Sequence, residues 1–192
     1  MNRVEIMKWN KNLDNLHQCL SEISFRNLEG IEISTDRGFF DWVQRTKNVK
    51  KSNNTIFFVG NGASASMASH FAADVAKNGS IKTHVFTDVS LITAIANDIC
   101  YDEVFAEPIK LHLKKNDMLI AISSSGNSKN VVRACEECKK KEGKIITLSA
   151  MKRDNLLQSR GDINIYIPAQ TYGCAESGHA VILHYWMDLI MD

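Results

Sequence analysis

Proline is nearly absent: Pro108 and Pro168 are the only two in 192 residues. Neither interrupts a central strand-like run, so no sheet strand is ruled out by a missing N–H donor. An excess of one charge is missing too, with 23 basic residues against 22 acidic ones. That balance argues against nucleic acid or a membrane surface as partner, and an anionic ligand then needs a local device. No apolar run approaches the ~20 residues of a membrane span. The opening MNRVEIMKWNKNLDNL lacks the apolar core of a signal peptide. The cysteines, Cys19, Cys100, Cys135, Cys138 and Cys174, are odd in number and scattered. They fit reduced thiols and a cytoplasmic protein better than a disulfide framework. Repeats and low-complexity segments are also missing. What remains is an ordinary globular composition, 44% hydrophobic and 23% charged, long enough for one domain with a sizeable core.

Two textures divide that domain, which is expected to span residues 1–192. Residues 1 to about 50 show no strand-like run and read as a helical N-terminal extension. Trp9, Leu13, Leu16, Leu20 and Ile23 are spaced by four, three, four and three residues, a narrow heptad-like stripe. Such a helix packs either on its own domain or on a neighbouring subunit. Phe39, Phe40, Trp42 and Val43 suggest a second helix ahead of the polar stretch KNVKKSNN. From Thr55 onward, buried-looking runs alternate with helical segments: TIFFVG (55–60), THVFTD (83–88), DMLIAISS (117–124), KIITLSA (144–150) and DINIYIPA (162–169). The alternation predicts right-handed βαβ units in a three-layer αβα fold with a five-stranded, parallel, doubly wound sheet. In such sheets ligands bind at the carboxyl ends of the strands, so motifs are sought there.

Two loops stand out. Gly60-Asn61-Gly62-Ala63-Ser64-Ala65-Ser66 follows the first of these runs and leads into a helix. It has neither the Gly-Lys-Ser/Thr of a Walker loop nor the spacing of a dinucleotide fingerprint, so no nucleotide cofactor is expected. Ser64 or Ser66 can cap the helix, and free helix N–H groups attract anions. Ser123-Ser124-Ser125-Gly126-Asn127-Ser128 follows the third run. Four serines around a glycine exceed what a cap requires. Hydroxyls and helix N–H groups together can satisfy a phosphate without lysine.

Residues capable of proton or metal chemistry lie on two helices. His70 and Asp74 are four apart, ~40° around the axis, on one face. Imidazole and carboxylate one turn apart suit zinc, and equally suit an ordinary surface pair. In the C-terminal helix, Glu176 and His184 lie ~80° apart and two turns along, so they can converge on one point. His179, ~60° to the other side of Glu176, is a poorer candidate. Cys135 and Cys138 form a lone CxxC with no second pair to complete a zinc site, and helix packing accounts for them.

GNGASAS followed by ISSSGNS resembles the SIS (sugar isomerase) family of phosphosugar-binding proteins, and within it the phosphoheptose isomerases. The similarity runs from about Thr55 to the C-terminus and takes in Asn97-Asp98. The resemblance implies phosphate binding by Ser123, Ser125 and Ser128. It places Asn61, Gly62, Ala63, Ser64, Ser124, Asn97 and Asp98 along the sugar, with Asp74 and Glu176 also touching it. It implies zinc or another divalent metal on His70, Asp74, Glu176 and His184. It gives Asp74 and His184 catalytic roles in aldose–ketose isomerisation, and a homo-oligomer, a tetramer, as the working unit. Asp74 stands where the family usually has glutamate, and Glu176 where it has glutamine; both keep metal-binding oxygens. Other ketose-phosphate isomerases and non-catalytic SIS proteins share the fold and stay as alternatives.

Overall fold

Strands covered on both faces need no polar side, so the continuous apolar runs are the ones that take the middle of a parallel sheet. In the computed structural model, which describes residues 9–191, the order is α1 (Trp9–Ser21), β1 (Ser24–Asn27), β2 (Glu32–Ile33), α2 (Thr35–Lys51), β3 (Thr55–Gly60), α3 (Ala63–Lys77), β4 (Lys82–Val85) and α4 (Val89–Asp98). A 3-10 turn (Tyr101–Glu103), α5 (Ala106–His112), β5 (Met118–Ser123), α6 (Lys129–Lys140) and β6 (Lys144–Ser149) follow. A second 3-10 turn (Leu156–Ser159), β7 (Ile163–Tyr166) and α7 (Tyr172–Met191) complete the described chain. All six residues of β5 are buried, and so are the last five of β3 and of β6.

The sheet order is β2-β1-β7-β6-β5-β3-β4. The five expected parallel strands are present, but the sheet has seven. β1 pairs antiparallel with β7, Phe25 opposite Ile165, and β2 pairs antiparallel with β1. The expectation of no strand before residue 50 is therefore corrected. SFRN and EI are too short to carry a period-two pattern, and they become strands by adding to an existing edge. The second helix also runs further than the apolar cluster suggested. It includes all of KNVKK, because Val49 is buried on its inner face.

Within the parallel part the chain starts at β3, steps outward to β4, then returns to β5 on the other side of β3. The direction of winding thus reverses between β3 and β5. At that switch point the loops leaving two adjacent strands diverge to opposite faces and open a crevice. GNGAS and SSSGNS leave those two strands.

Two apolar layers hold the sheet. On one face α2, α3 and α7 pack, and Trp42 stacks on Trp186 with centroids 4.6 Å apart and planes 8° from parallel. Trp186 Nε1 donates to Thr46 Oγ1 at 3.2 Å, which satisfies the polar edge of the buried indole. On the other face α5 and α6 pack, and Cys135 and Cys138 belong to that layer. Burial pushes the Cys135 thiol up to about 12, so it packs as a small apolar side chain. At the amino edge Asp117 accepts from the main-chain N–H of Thr55 at 2.8 Å and of Lys114 at 2.7 Å. That carboxylate closes the end of the sheet away from the crevice.

The N-terminal stripe divides between two environments. Leu16 and Leu20 are half-buried, and Leu20 lies against α7 near Gly178, while Cys19 and Ile23 join the core layer. Trp9 is 69% exposed and Leu13 43%. Ile23 lies beyond the end of α1. One end of the stripe packs on its own domain, and the other is left uncovered by the described residues. Among the described residues no helix is long and apolar enough to cross a membrane.

Candidate active site

The third parallel strand in spatial order ends in Ser123, and the next five residues turn back into α6. Gly126 makes the turn at φ 64°, a left-handed conformation that costs L side chains about 1 kcal/mol. A Cβ there would also overlap the Asn155 side chain. The loop is pinned by Gly126 N–H to Ser123 O (2.9 Å), Leu157 N–H to Gly126 O (3.0 Å) and Leu156 N–H to Asn127 Oδ1 (3.0 Å). The hydroxyls of Ser123 and Ser128 stand 2.9 Å apart, and those of Ser123 and Ser125 3.4 Å apart. Ser128 is the N-cap of α6, yet its side chain makes no capping bond. The sequence also allowed Ser64 or Ser66 as the cap of α3. The structure corrects this: Gly62, at φ 56°, is the N-cap, and no side chain caps that helix. Two helices thus point uncapped N-termini at one crevice, and three hydroxyls bond one another there. Free N–H groups and clustered hydroxyls together make an anion site without a lysine.

A cavity of about 180 Å³ opens at this point, lined by Asn61, Ser64, Ser123, Ser124, Ser125, Ser128, Tyr172 and Glu176. Seven of the sequence-predicted residues therefore share one wall. Gly62 and Ala63 form the turn that borders it but do not line it. Asn97 and Asp98 do not line it either. They end α4, are exposed, and pair with each other through Asn97 Nδ2 and Asp98 Oδ1 at 2.8 Å. Tyr172, Asn130 and Tyr101 were not predicted. Asn130 is 2% exposed and exchanges two 2.9 Å hydrogen bonds with Asn61. Tyr101 donates its hydroxyl to Asn61 Oδ1 at 3.1 Å. The only sequence signal for Asn130 was its place two residues after the serine turn.

A second cluster lies further along α3 and α7. His70 Nε2 stands 3.3 Å from Asp74 Oδ2. The His184 ring lies 5.6 Å from that of His70 and edge-on to Phe71 at 4.8 Å. α3 and α7 pack together, and both begin at the crevice end of the sheet. Counting 1.5 Å per residue puts His70 ~9 Å and Asp74 ~15 Å beyond Ser64, and His184 ~12 Å beyond Glu176. Side chains lean toward helix N-termini, back toward the cavity. Glu176 lines the serine cavity, and the His184 ring lies beside that of His70. Among the described residues no three His, Cys, Asp or Glu side chains stand as a ready metal shell. The donor types at His70, Asp74 and His184 suit zinc, but their placement would have to close around an ion.

His179, between the two clusters on α7, is fully buried. It faces the main chain of Ser149, but neither ring nitrogen has a hydrogen bond of good geometry. Burial lowers its pKa from 6.5 to about 4. The unfolded chain takes up this proton below about pH 6.5 and the folded one only near pH 4, so the unfolded state binds more protons in between. Stability is expected to fall by on the order of 3 kcal/mol as pH drops through that window. Denaturant melts from pH 7 to pH 4 check this. His179→Leu should flatten the dependence, and an unchanged slope in that variant counts against the assignment.

The SIS domain profile matches residues 43–150. The phosphoheptose isomerase of Helicobacter pylori (strain ATCC 700392 / 26695) is 36% identical over 172 residues, 86% of each chain. That of Colwellia psychrerythraea is 36% identical over 145 residues, covering 71% of this chain and 74% of its own. Among solved structures, phosphoheptose isomerase GmhA from Neisseria gonorrhoeae superposes with a TM-score of 0.81, covering 94% of this chain and 95% of its own. At 24% identity that likeness speaks to the fold alone. With the fold, the switch-point serines and these relatives in agreement, the chain belongs to the SIS-domain family, in its phosphoheptose isomerase branch.

Proposed function

We propose that the protein is a sugar-phosphate isomerase that interconverts sedoheptulose 7-phosphate and D-glycero-D-manno-heptose 7-phosphate through an enediol(ate). The observation that carries this is a serine-lined anion pocket at the switch point, with an imidazole–carboxylate cluster two to three helical turns beyond it. The spacing favours a long substrate. In an extended seven-carbon sugar phosphate, C1 and C2 lie roughly 8–10 Å from phosphorus, at about 1.5 Å per bond. The relatives named above carry the matching activity in their names.

The pocket holds the phosphate through Ser123, Ser125 and Ser128 and the N–H groups opening α6. That anchoring supplies binding energy remote from the reacting carbons and orients them. Asp74 takes the proton from C1 of the ketose while His184 gives one to O2. The same groups then return a proton to C2 and remove the one on O1. His70, 3.3 Å from the Asp74 carboxylate, holds it in place. We extend the proposal to a divalent metal, zinc or a similar ion, held by His70, Asp74, Glu176 and His184. Such an ion supplies polarisation of the substrate carbonyl. Incubation with sedoheptulose 7-phosphate, followed by NMR with and without chelator and across a metal panel, tests both parts. Aldose formation lost to chelator and restored by one metal supports them. Aldose formation unaffected by exhaustive chelation removes the metal and keeps the isomerase.

We also propose a cytoplasmic homo-oligomer, a tetramer. Among the described residues α1 and α4 have no buried side chain, and α4 is largely apolar. Leu13→Asp, at the uncovered end of the α1 stripe, is expected to shift the protein to smaller species by light scattering. A monomer in the unsubstituted protein at working concentration contradicts the assembly.

A further inference from the structure

Asn61 lines the serine cavity, yet most of its amide is already engaged on the far side. Its Oδ1 accepts from Asn130 Nδ2 at 2.9 Å and from the Tyr101 hydroxyl at 3.1 Å. Its Nδ2 donates to Asn130 Oδ1 at 2.9 Å. A carboxamide has two acceptor lone pairs and two N–H donors. Both lone pairs are therefore filled and one N–H is used. A single N–H is left for whatever occupies the cavity.

We propose that Tyr101 and Asn130 are positioning residues that fix Asn61 as a one-way hydrogen-bond donor to a sugar oxygen beside the bound phosphate. The identity of the ligand rests on the isomerase reading above; the geometry of the amide does not. Without these two partners the Asn61 amide could turn over and present its carbonyl oxygen, which can accept from a hydroxyl but repels a carbonyl or enediolate oxygen. With them, the wall discriminates by polarity.

Both partners are themselves held. Asn130 sits in the first turn of α6, is 2% exposed, and its Oδ1 also accepts from Val131 N–H at 2.9 Å. Its own amide is thus fixed in one orientation. Tyr101 opens the 3-10 turn that follows Asn97 and Asp98. The next residues tie that turn to the same helix: Glu103 accepts from Arg133 Nε at 2.7 Å, and Asp102 lies 3.8 Å from Lys129. The Tyr101 residue is 54% exposed, so its ring does not serve the core. Among the described residues its hydroxyl has one hydrogen-bond partner, Asn61. Removing that oxygen from an exposed tyrosine should scarcely change stability, which separates positioning from folding.

The test uses Tyr101→Phe and Asn130→Asp in the full chain. Aspartate at 130 still accepts from Asn61 Nδ2 but cannot donate to Asn61 Oδ1. Tyr101→Phe is expected to lower kcat/KM for sedoheptulose 7-phosphate about tenfold, with Asn130→Asp lower still. Inhibition by inorganic phosphate should stay within about twofold in Tyr101→Phe, and its melting temperature should not move. Unchanged kcat/KM in Tyr101→Phe overturns the proposal, as does an equal loss for inorganic phosphate. If the unsubstituted protein turns nothing over, the isomerase reading fails, and calorimetry takes the place of kinetics. A selective loss of sedoheptulose 7-phosphate affinity over inorganic phosphate in Tyr101→Phe then upholds the positioning role. An unchanged ratio, or no preference for the sugar phosphate in the unsubstituted protein, overturns it.

Discussion

Replacing Ser123, Ser125 and Ser128 together by alanine is expected to raise KM for the sugar phosphate about 10³-fold and to lower kcat far less. A hydrogen bond to a charged partner contributes about 1.5–3 kcal/mol, and three are removed at once. The N–H groups opening α6 stay in place, which keeps the loss below the sum of three. The fold should tolerate the change, because these hydroxyls bond chiefly to one another. The effect belongs in KM because the phosphate is held alike before and during the chemistry. Single variants, beginning with Ser125→Ala, should each show a part of it. Steady-state kinetics, with inorganic phosphate as competitor, measure it. Unchanged KM in the triple variant would mean that the phosphate binds elsewhere.

Asp74→Asn is expected to lower kcat by about 10²–10⁴-fold, the usual contribution of one positioned acid or base. Asparagine keeps the shape and the contact with His70 but cannot take up a proton. His184→Ala should fall in the same range. Asp74→Glu is not expected to improve the enzyme. Its carboxylate would stand one methylene further out, and displacement of about 1 Å can cost ~10²-fold. Metal content assayed on the same samples divides the roles. Loss of activity with metal retained assigns Asp74 to proton transfer, and joint loss assigns it to the ion. Full activity in metal-free Asp74→Asn refutes both.

The parallel core and both loops could be read from the chain because each depends on local pattern. Ile56–Val59 and Met118–Ile122 are unbroken apolar runs, and only a strand covered on both faces wants them. The serine turn announced itself by hydroxyl density. The edge strands could not be read this way, since Ser24–Asn27 is a strand only because β7 offers it an unpaired edge. The caps failed for a related reason. Ser64 and Ser66 have the right chemistry, but Gly62 can take the positive φ from which α3 starts one residue before Ser64. Helix arithmetic puts Glu176 and His184 about 80° apart. It could not say that α7 presents one to the serines and the other to His70, because that depends on where α3 packs. Tyr101 and Asn130 meet Asn61 from different elements, and no spacing along the chain foretells such a meeting.

The most direct test of the account compares turnover of sedoheptulose 7-phosphate with that of sedoheptulose lacking the phosphate, under the same conditions. The account predicts steady conversion of the phosphorylated ketose to its aldose, with kcat/KM at least about 10³-fold above that of the free sugar. Equal turnover of the two sugars, or no turnover of the phosphorylated one with any divalent metal, would contradict it.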